Sequence, residues 1–255
     1  MALFAPALTA CTDNGAEPGT SGSGAPAVPA DAKEALLAST KEITEGNFRF
    51  SMTGADLDGQ GVVHKPSKSA RMNMKAGEGE FSMDMDIIYL EPDSWVKLEI
   101  TGAEGVPGLE SLNSGKYQHL DQSKIKGTAG LGFNFKDVDP AGSEALTKAV
   151  VDVQKTGEGT YTGTIDLTRA TGAGMINEDS VQLLGAEATK LPFEAKLDAE
   201  GRLSTMTIKL PAVAGGTAHE LTVSYSDYGA ASPATAPPAS EVVEASPETY
   251  ELFNK

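Results

Sequence analysis

The sequence predicts an α+β fold in one domain, built on a large antiparallel β-sheet with a few helices. Three observations predict it. Short runs alternate apolar and polar residues at period two, as half-buried strands do. Apolar residues recur at helical spacing in only a few places. Gly, Asp, Asn and Pro clusters punctuate the runs where turns are needed.

The elements follow in chain order. Asp31 stands as a helix N-cap with Glu34 three residues on, a capping-box-like pair. Leu36, Ser39, Thr40 and Ile43 then fall on one face of a helix that Gly46 stops. Phe48 to Met52 alternates, as does Ala70 to Lys75. In the clearest strand, Phe81, Met83, Met85 and Ile87 share one face, and Ser82, Asp84 and Asp86 the other. Trp95 to Ile100 repeats the pattern with Val96, Leu98 and Ile100 inward. A glycine-rich excursion covers 102–132, and Asp56-Leu57-Asp58-Gly59 reads as a turn. Asp139-Pro140 opens a second helix on which Leu146, Val150 and Val153 recur. A strand over Tyr161–Leu167 and a helical turn near Asp179–Ala188 come next. Three strands then run over Pro192–Leu197, Leu203–Leu210 and His219–Tyr225, the first two joined by the turn Asp198-Ala199-Glu200-Gly201. From Ala230 a Pro-, Ala- and Ser-rich tail could lie over the domain.

Charge and cysteine content narrow the function. The formal net charge is −16, which excludes a general affinity for nucleic acid and disfavours docking of the protein body on anionic headgroups. No run of apolar residues is long enough for a membrane-spanning helix. The single cysteine permits no internal disulfide and no cysteine-rich zinc site. That cysteine ends Leu8-Thr9-Ala10-Cys11, after an apolar stretch: the pattern of a bacterial lipobox, in which the thiol is acylated and the signal cut before it. No Lys or Arg precedes it. From Thr12 to Ala30 the chain is rich in Gly, Pro, Ser and Ala, as a flexible tether is. The expected organisation is therefore a signal segment over 1–10, a lipidated Cys11 with its tether over 11–30, and a folded domain over 31–255. Localisation follows: the extracytoplasmic face of a cell membrane, held by the lipid.

Scattered residues carry a family resemblance. A Tyr-x-x-Pro-x-x-Trp-x-Lys-Leu junction is formed by Tyr89, Pro92, Trp95, Lys97 and Leu98. The strand Gly163-Thr164-Ile165-Asp166-Leu167 follows, and later Tyr225-Ser226-Asp227-Tyr228-Gly229 with a proline-rich exit (Pro233, Pro237, Pro238). With the lipobox and tether, this order resembles the actinobacterial LppX/LprG-like lipoproteins, relatives of the LolA/LolB lipoprotein carriers. The resemblance implies a half-barrel: a curved antiparallel sheet whose concave face, closed by helices, holds acyl chains. It also implies a lipid or glycolipid ligand, carried or presented in the envelope, with a membrane transporter as a possible partner and no cofactor.

The inward residues fit that expectation. A cavity of this kind would be lined by Met72, Met74, Phe81, Met83, Met85, Ile87, Val96, Leu98, Ile165, Met206, Ile208 and Val223. Methionine is flexible and polarizable and accommodates varied apolar shapes, although the same residues serve equally as ordinary core. A non-transporting envelope interaction or sensor lipoprotein with a filled core is the alternative. The Met-x-Met pairs also match thioether ligands for copper(I), yet period two gives them for packing alone. Catalysis finds little support. His64, His119 and His219 are far apart in sequence, and no Gly-x-Ser-x-Gly elbow, P-loop or dinucleotide fingerprint occurs.

Overall fold

The computed structural model describes residues 28–55, 57–102, 112–125, 135, 138–170, 176, 178–213 and 216–254. Twelve strands form one open sheet in the spatial order β12-β6-β5-β4-β3-β2-β1-β11-β10-β9-β8-β7. They are β1 Asn47–Thr53, β2 Leu57–His64, β3 Ser69–Glu78, β4 Phe81–Leu90, β5 Asp93–Thr101, β6 Tyr117–Asp121, β7 Val150–Gly157, β8 Thr160–Ile165, β9 Leu191–Leu197, β10 Leu203–Leu210, β11 His219–Ser226 and β12 Val242–Glu244. Every pairing is antiparallel except β12 with β6. With five short helices among the described residues, this is the α+β curved sheet that the alternating runs predict, and it does not close into a barrel.

The helices are α1 Ala32–Ser39, α2 Lys41–Glu45, α3 Ser143–Lys148, α4 Glu178–Leu184 and α5 Pro247–Phe253. Asp31 accepts the Glu34 amide at 2.9 Å, so the N-cap forms as the sequence predicts. The single helix expected over 31–43 is instead two. The Ser39 and Thr40 hydroxyls bond back to the Leu36 and Leu37 carbonyls, competing with the helical ladder where the axis breaks. Gly46, at φ +69°, closes α2 in the left-handed conformation that a side chain would strain. Leu36 and Ile43 are fully buried, and Lys33 Nζ donates to the Val150 carbonyl at 2.9 Å, pinning α1 across β7. The helices thus lie on one face of the sheet, with α1 across its β7 end.

Four further expectations change. Val150 and Val153 lie on β7, not on a second helix, because α3 ends at Lys148 and β-branched Val150, Val151 and Val153 favour extended backbone. Leu57 to Gly59 begins β2 rather than forming a turn. Gly59 and Gly61 are needed there because Met52 and Phe50 fold over them. A Cβ on Gly59 would stand 2.9 Å from Met52 Cε, and one on Gly61 would stand 2.6 Å from Phe50 Cε1 and 2.5 Å from the Arg71 carbonyl oxygen. The excursion over 102–132 contains β6. The strand read over Tyr161–Leu167 stops at Ile165, where Asp166 takes the Thr168 amide at 3.1 Å and starts a 3-10 turn. A Gly61→Val chain is expected to lose about 1–3 kcal/mol from overpacking against an oxygen that cannot yield. Urea denaturation measures it, and an unchanged midpoint would contradict this reading of β2.

The tail does lie over the domain. The Ala234 amide donates to Ser69 Oγ at 3.1 Å, on the face of β3 opposite Ala70 and hence opposite the helices. The chain then reaches the β6 edge, where β12 pairs in parallel, and α5 follows with Phe253 in the main core. The other edge strand, β7, is interrupted by irregularities near Val150–Asp152 and Lys155–Gly157, which discourage edge-to-edge pairing.

Candidate functional site

On the helix-covered face one row of side chains crosses seven strands. The register places Met206 beside Val223, then Met52, Gly59, Met74, Met85 and Leu98. A second row runs Phe50, Gly61, Met72, Ile87, Val96 and Gln118. A third holds Leu57, Ala76, Met83 and Ile100. Alternation at period two puts all of these on one face.

Burial divides the residues expected to line a cavity. Ile87, Val96, Leu98, Ile165, Met206, Ile208 and Val223 are each at most 3% exposed and belong to the continuous core. Met72, Met74, Met83 and Met85 pack against that core but are only half-buried, as are Ala76 and Ile100 beside them. Phe81 is 44% exposed. Along β4, cover is therefore lost step by step from Ile87 through Met85 and Met83 to Phe81. That stretch spans about 20 Å at the usual strand rise. The predicted set is one contiguous surface whose far half is sealed and whose β3–β4 half is partly open. Cys11 and its tether up to residue 27 lie outside the described residues.

Two members of the first row lie outside the expected lining. Met52 joins the row because β1 alternates through Phe48 and Phe50, a signal already present in the pattern. Gly59 was hidden by its acidic neighbours, which mimic a turn. Its bare Cα lets Met52 lie beside Met74.

The opposite face carries polar depressions, open to solvent, of about 480, 380 and 250 Å³ along β1–β5. Their walls are a ladder of mutually neutralised charges. Arg71 bonds Asp86 through Nε at 3.1 Å and Nη2 at 2.5 Å, and the Tyr117 hydroxyl donates to the same carboxylate at 2.7 Å. Burial and the Asp86 carboxylate push the Tyr117 hydroxyl up to about 12. Lys75 and Asn73 share Asp84. Such pairs satisfy one another.

Other polar groups do structural work. Asp139 accepts the Glu144 amide at 2.8 Å and the Tyr225 hydroxyl at 3.2 Å, tying the start of α3 to β11. Burial raises its carboxyl above the ordinary Asp value. The three histidines sit on β2, β6 and β11, and among the described residues no three His, Cys, Asp or Glu side chains converge as metal ligands. No helix among them is long and apolar enough to cross a membrane.

Of the three histidines, His119 is the one that bridges two carboxylates among the described residues. Nε2 lies 2.9 Å from Asp93 Oδ1 and Nδ1 3.4 Å from Glu244 Oε1, joining β5, β6 and β12. Its hydrogen bond to Asp93 chiefly, and then Glu244, raise its pKa above the ordinary 6.5. A raised folded-state pKa stabilises the fold fully below about pH 6.5, and the contribution is lost as pH rises through the folded value. Parent protein should therefore lose more stability between pH 6 and pH 8 than His119→Gln does in urea titrations. Equal losses would show that the bridge carries no linkage.

No known protein family matches the chain, and no curated protein matches it.

Proposed function

We propose that this protein is a membrane-anchored lipoprotein that binds a lipid or lipidated ligand against the methionine-lined part of the helix-covered face, for transport or presentation in the cell envelope. The observation that carries the proposal is the half-open apolar stretch of Met72, Met74, Met83 and Met85, continuous with a sealed core. Apolar side chains left half-exposed on the covered face of a sheet gain from an apolar partner, at about 0.8 kcal/mol per buried methylene. Unbranched thioethers adapt to chains of differing shape. The resemblance to LppX/LprG-like lipoproteins points the same way. Cys11 would carry the acyl anchor on the extracytoplasmic face, and a membrane transporter would be a natural donor or acceptor of the cargo.

A second reading has its own support. Seven of the twelve expected lining residues are sealed core, as an interaction or sensor lipoprotein with a filled interior requires. Equilibrium titration with cis-parinaric acid, a fluorescent polyene fatty acid, separates the two. Saturable binding at one molecule per chain supports the carrier reading, and no binding supports the filled interior. Anchoring is tested separately: Cys11→Ala should move the protein from the membrane fraction to the soluble fraction, and retention in the membrane would count against acylation.

A further inference from the structure

The β12–α5 strap packs on the helix-covered face at the β6 edge, three strands from Met72, and it is held differently from the other cover. Its strand is three residues long and pairs with β6 alone, in parallel. The antiparallel ladder from β6 through β7 does not depend on it. Two of its polar ties converge on one buried side chain, while Glu244 meets His119 and Asn254 donates to the Lys124 carbonyl nearer solvent. Gln118 Oε1 accepts the Ser246 amide at 3.2 Å and the Thr249 hydroxyl at 2.5 Å, while Gln118 Nε2 donates to the Leu112 carbonyl at 3.4 Å. Gln118 is 2% exposed and Thr249 fully buried. Around this lock, the Tyr250 hydroxyl accepts the Asp121 amide at 2.9 Å and Phe253 enters the core cluster with Leu112 and Leu120.

We infer that the β12–α5 strap opens as a unit by releasing Gln118, and that this opening admits the apolar ligand to the methionine-lined floor. The second clause rests on the lipid-binding reading. The rows on the sheet connect the two places, since Gln118 stands in register with Val96, Val96 with Ile87, and Ile87 with Met72. Lifting the strap uncovers the Gln118 end of a row that continues through sealed Val96 and Ile87 to half-buried Met72. A buried polar lock suits this role better than an apolar one. On opening, water takes over the bonds of Gln118, Ser246 and Thr249, so the net cost of breaking them is small. In the closed state the same groups must find one another, which fixes where the strap lands.

Hydrogen exchange on the full chain decides the opening. The amides of Ala245 and Tyr250, bonded to the His119 and Ser246 carbonyls, should exchange at least tenfold faster than those of β4 and β5. Gln118→Leu removes the partner of the Ser246 amide and leaves the buried Thr249 hydroxyl only its contact with Ser246 Oγ at 3.1 Å, and should raise strap exchange a further tenfold or so with β4 and β5 unchanged. Adding Thr249→Val should reverse part of that increase. Strap amides that exchange only as fast as β4 and β5, or that ignore Gln118→Leu, overturn the inference. Stopped-flow uptake of cis-parinaric acid decides the route: its rate should rise in Gln118→Leu by the same factor as strap exchange. A rise in exchange with no rise in uptake overturns the route. If the parent binds no parinaric acid at all, the lipid reading fails and the route with it, while the exchange data still decide whether the strap opens.

Discussion

Phe48→Ala is expected to lower the unfolding free energy by about 3–5 kcal/mol, a large share of the ~5–15 kcal/mol that holds an ordinary domain together. Phe48 is fully buried at the start of β1, where the sheet passes from its β2–β6 half to its β7–β11 half. Its ring meets Tyr225 edge-on at 5.4 Å, with Phe50 at 6.3 Å and Tyr228 at 6.2 Å. Tyr225 in turn holds Asp139 and Ser143 at the start of α3, and Tyr228 donates to the Leu203 carbonyl at 2.6 Å beneath the Arg202 guanidinium. Truncation therefore leaves a cavity that several rigid neighbours cannot fill and loosens both a helix and a hairpin. Urea unfolding gives the value. A loss below about 1 kcal/mol would mean that the site collapses around the gap, against the packing described.

The second large effect is on ligand. Met74→Asp together with Met85→Asp should abolish parinaric acid binding, by a factor of 100 or more, with a modest fall in thermal midpoint because like charges directly opposite on paired strands repel. The two side chains are neighbours across β3 and β4 at the centre of the half-open stretch. A bound acyl chain would strip water from both carboxylates, which is costly for each. In the free protein they keep part of their hydration, so the fold tolerates them. Ile87→Asp, two residues along β4 and fully buried, supplies the contrast and should unfold the chain. Binding that survives the double change would place the ligand elsewhere.

Period-two alternation made most of the sheet legible, because one wet face and one dry face leave that signature in β1, β3, β4, β5 and β9 to β11. It failed where packing asked for something other than a branched side chain. β2 hides behind Gly59 and Gly61, which are glycine so that Met52 and Phe50 can cross them. β6 hides behind Gln118, a polar residue at an inward position whose partners, Ser246 and Thr249, are about 130 residues away in the chain. β7 reads as helix because Leu146, Val150 and Val153 match helical spacing across a boundary at Ala149. The methionine set could be named from alternation alone. What alternation cannot supply is the cover: which inward residues a helix or strap seals, and which it leaves half-open, depends on contacts distant in sequence.

Native mass spectrometry of the protein taken from its own envelope, before and after organic extraction, tests the central claim most directly. The account predicts a bound mass in the lipid range, held non-covalently, that extraction removes from the parent and that is missing from the Met74→Asp, Met85→Asp chain. A parent whose mass is that of the acylated chain alone, the same before and after extraction, would contradict it.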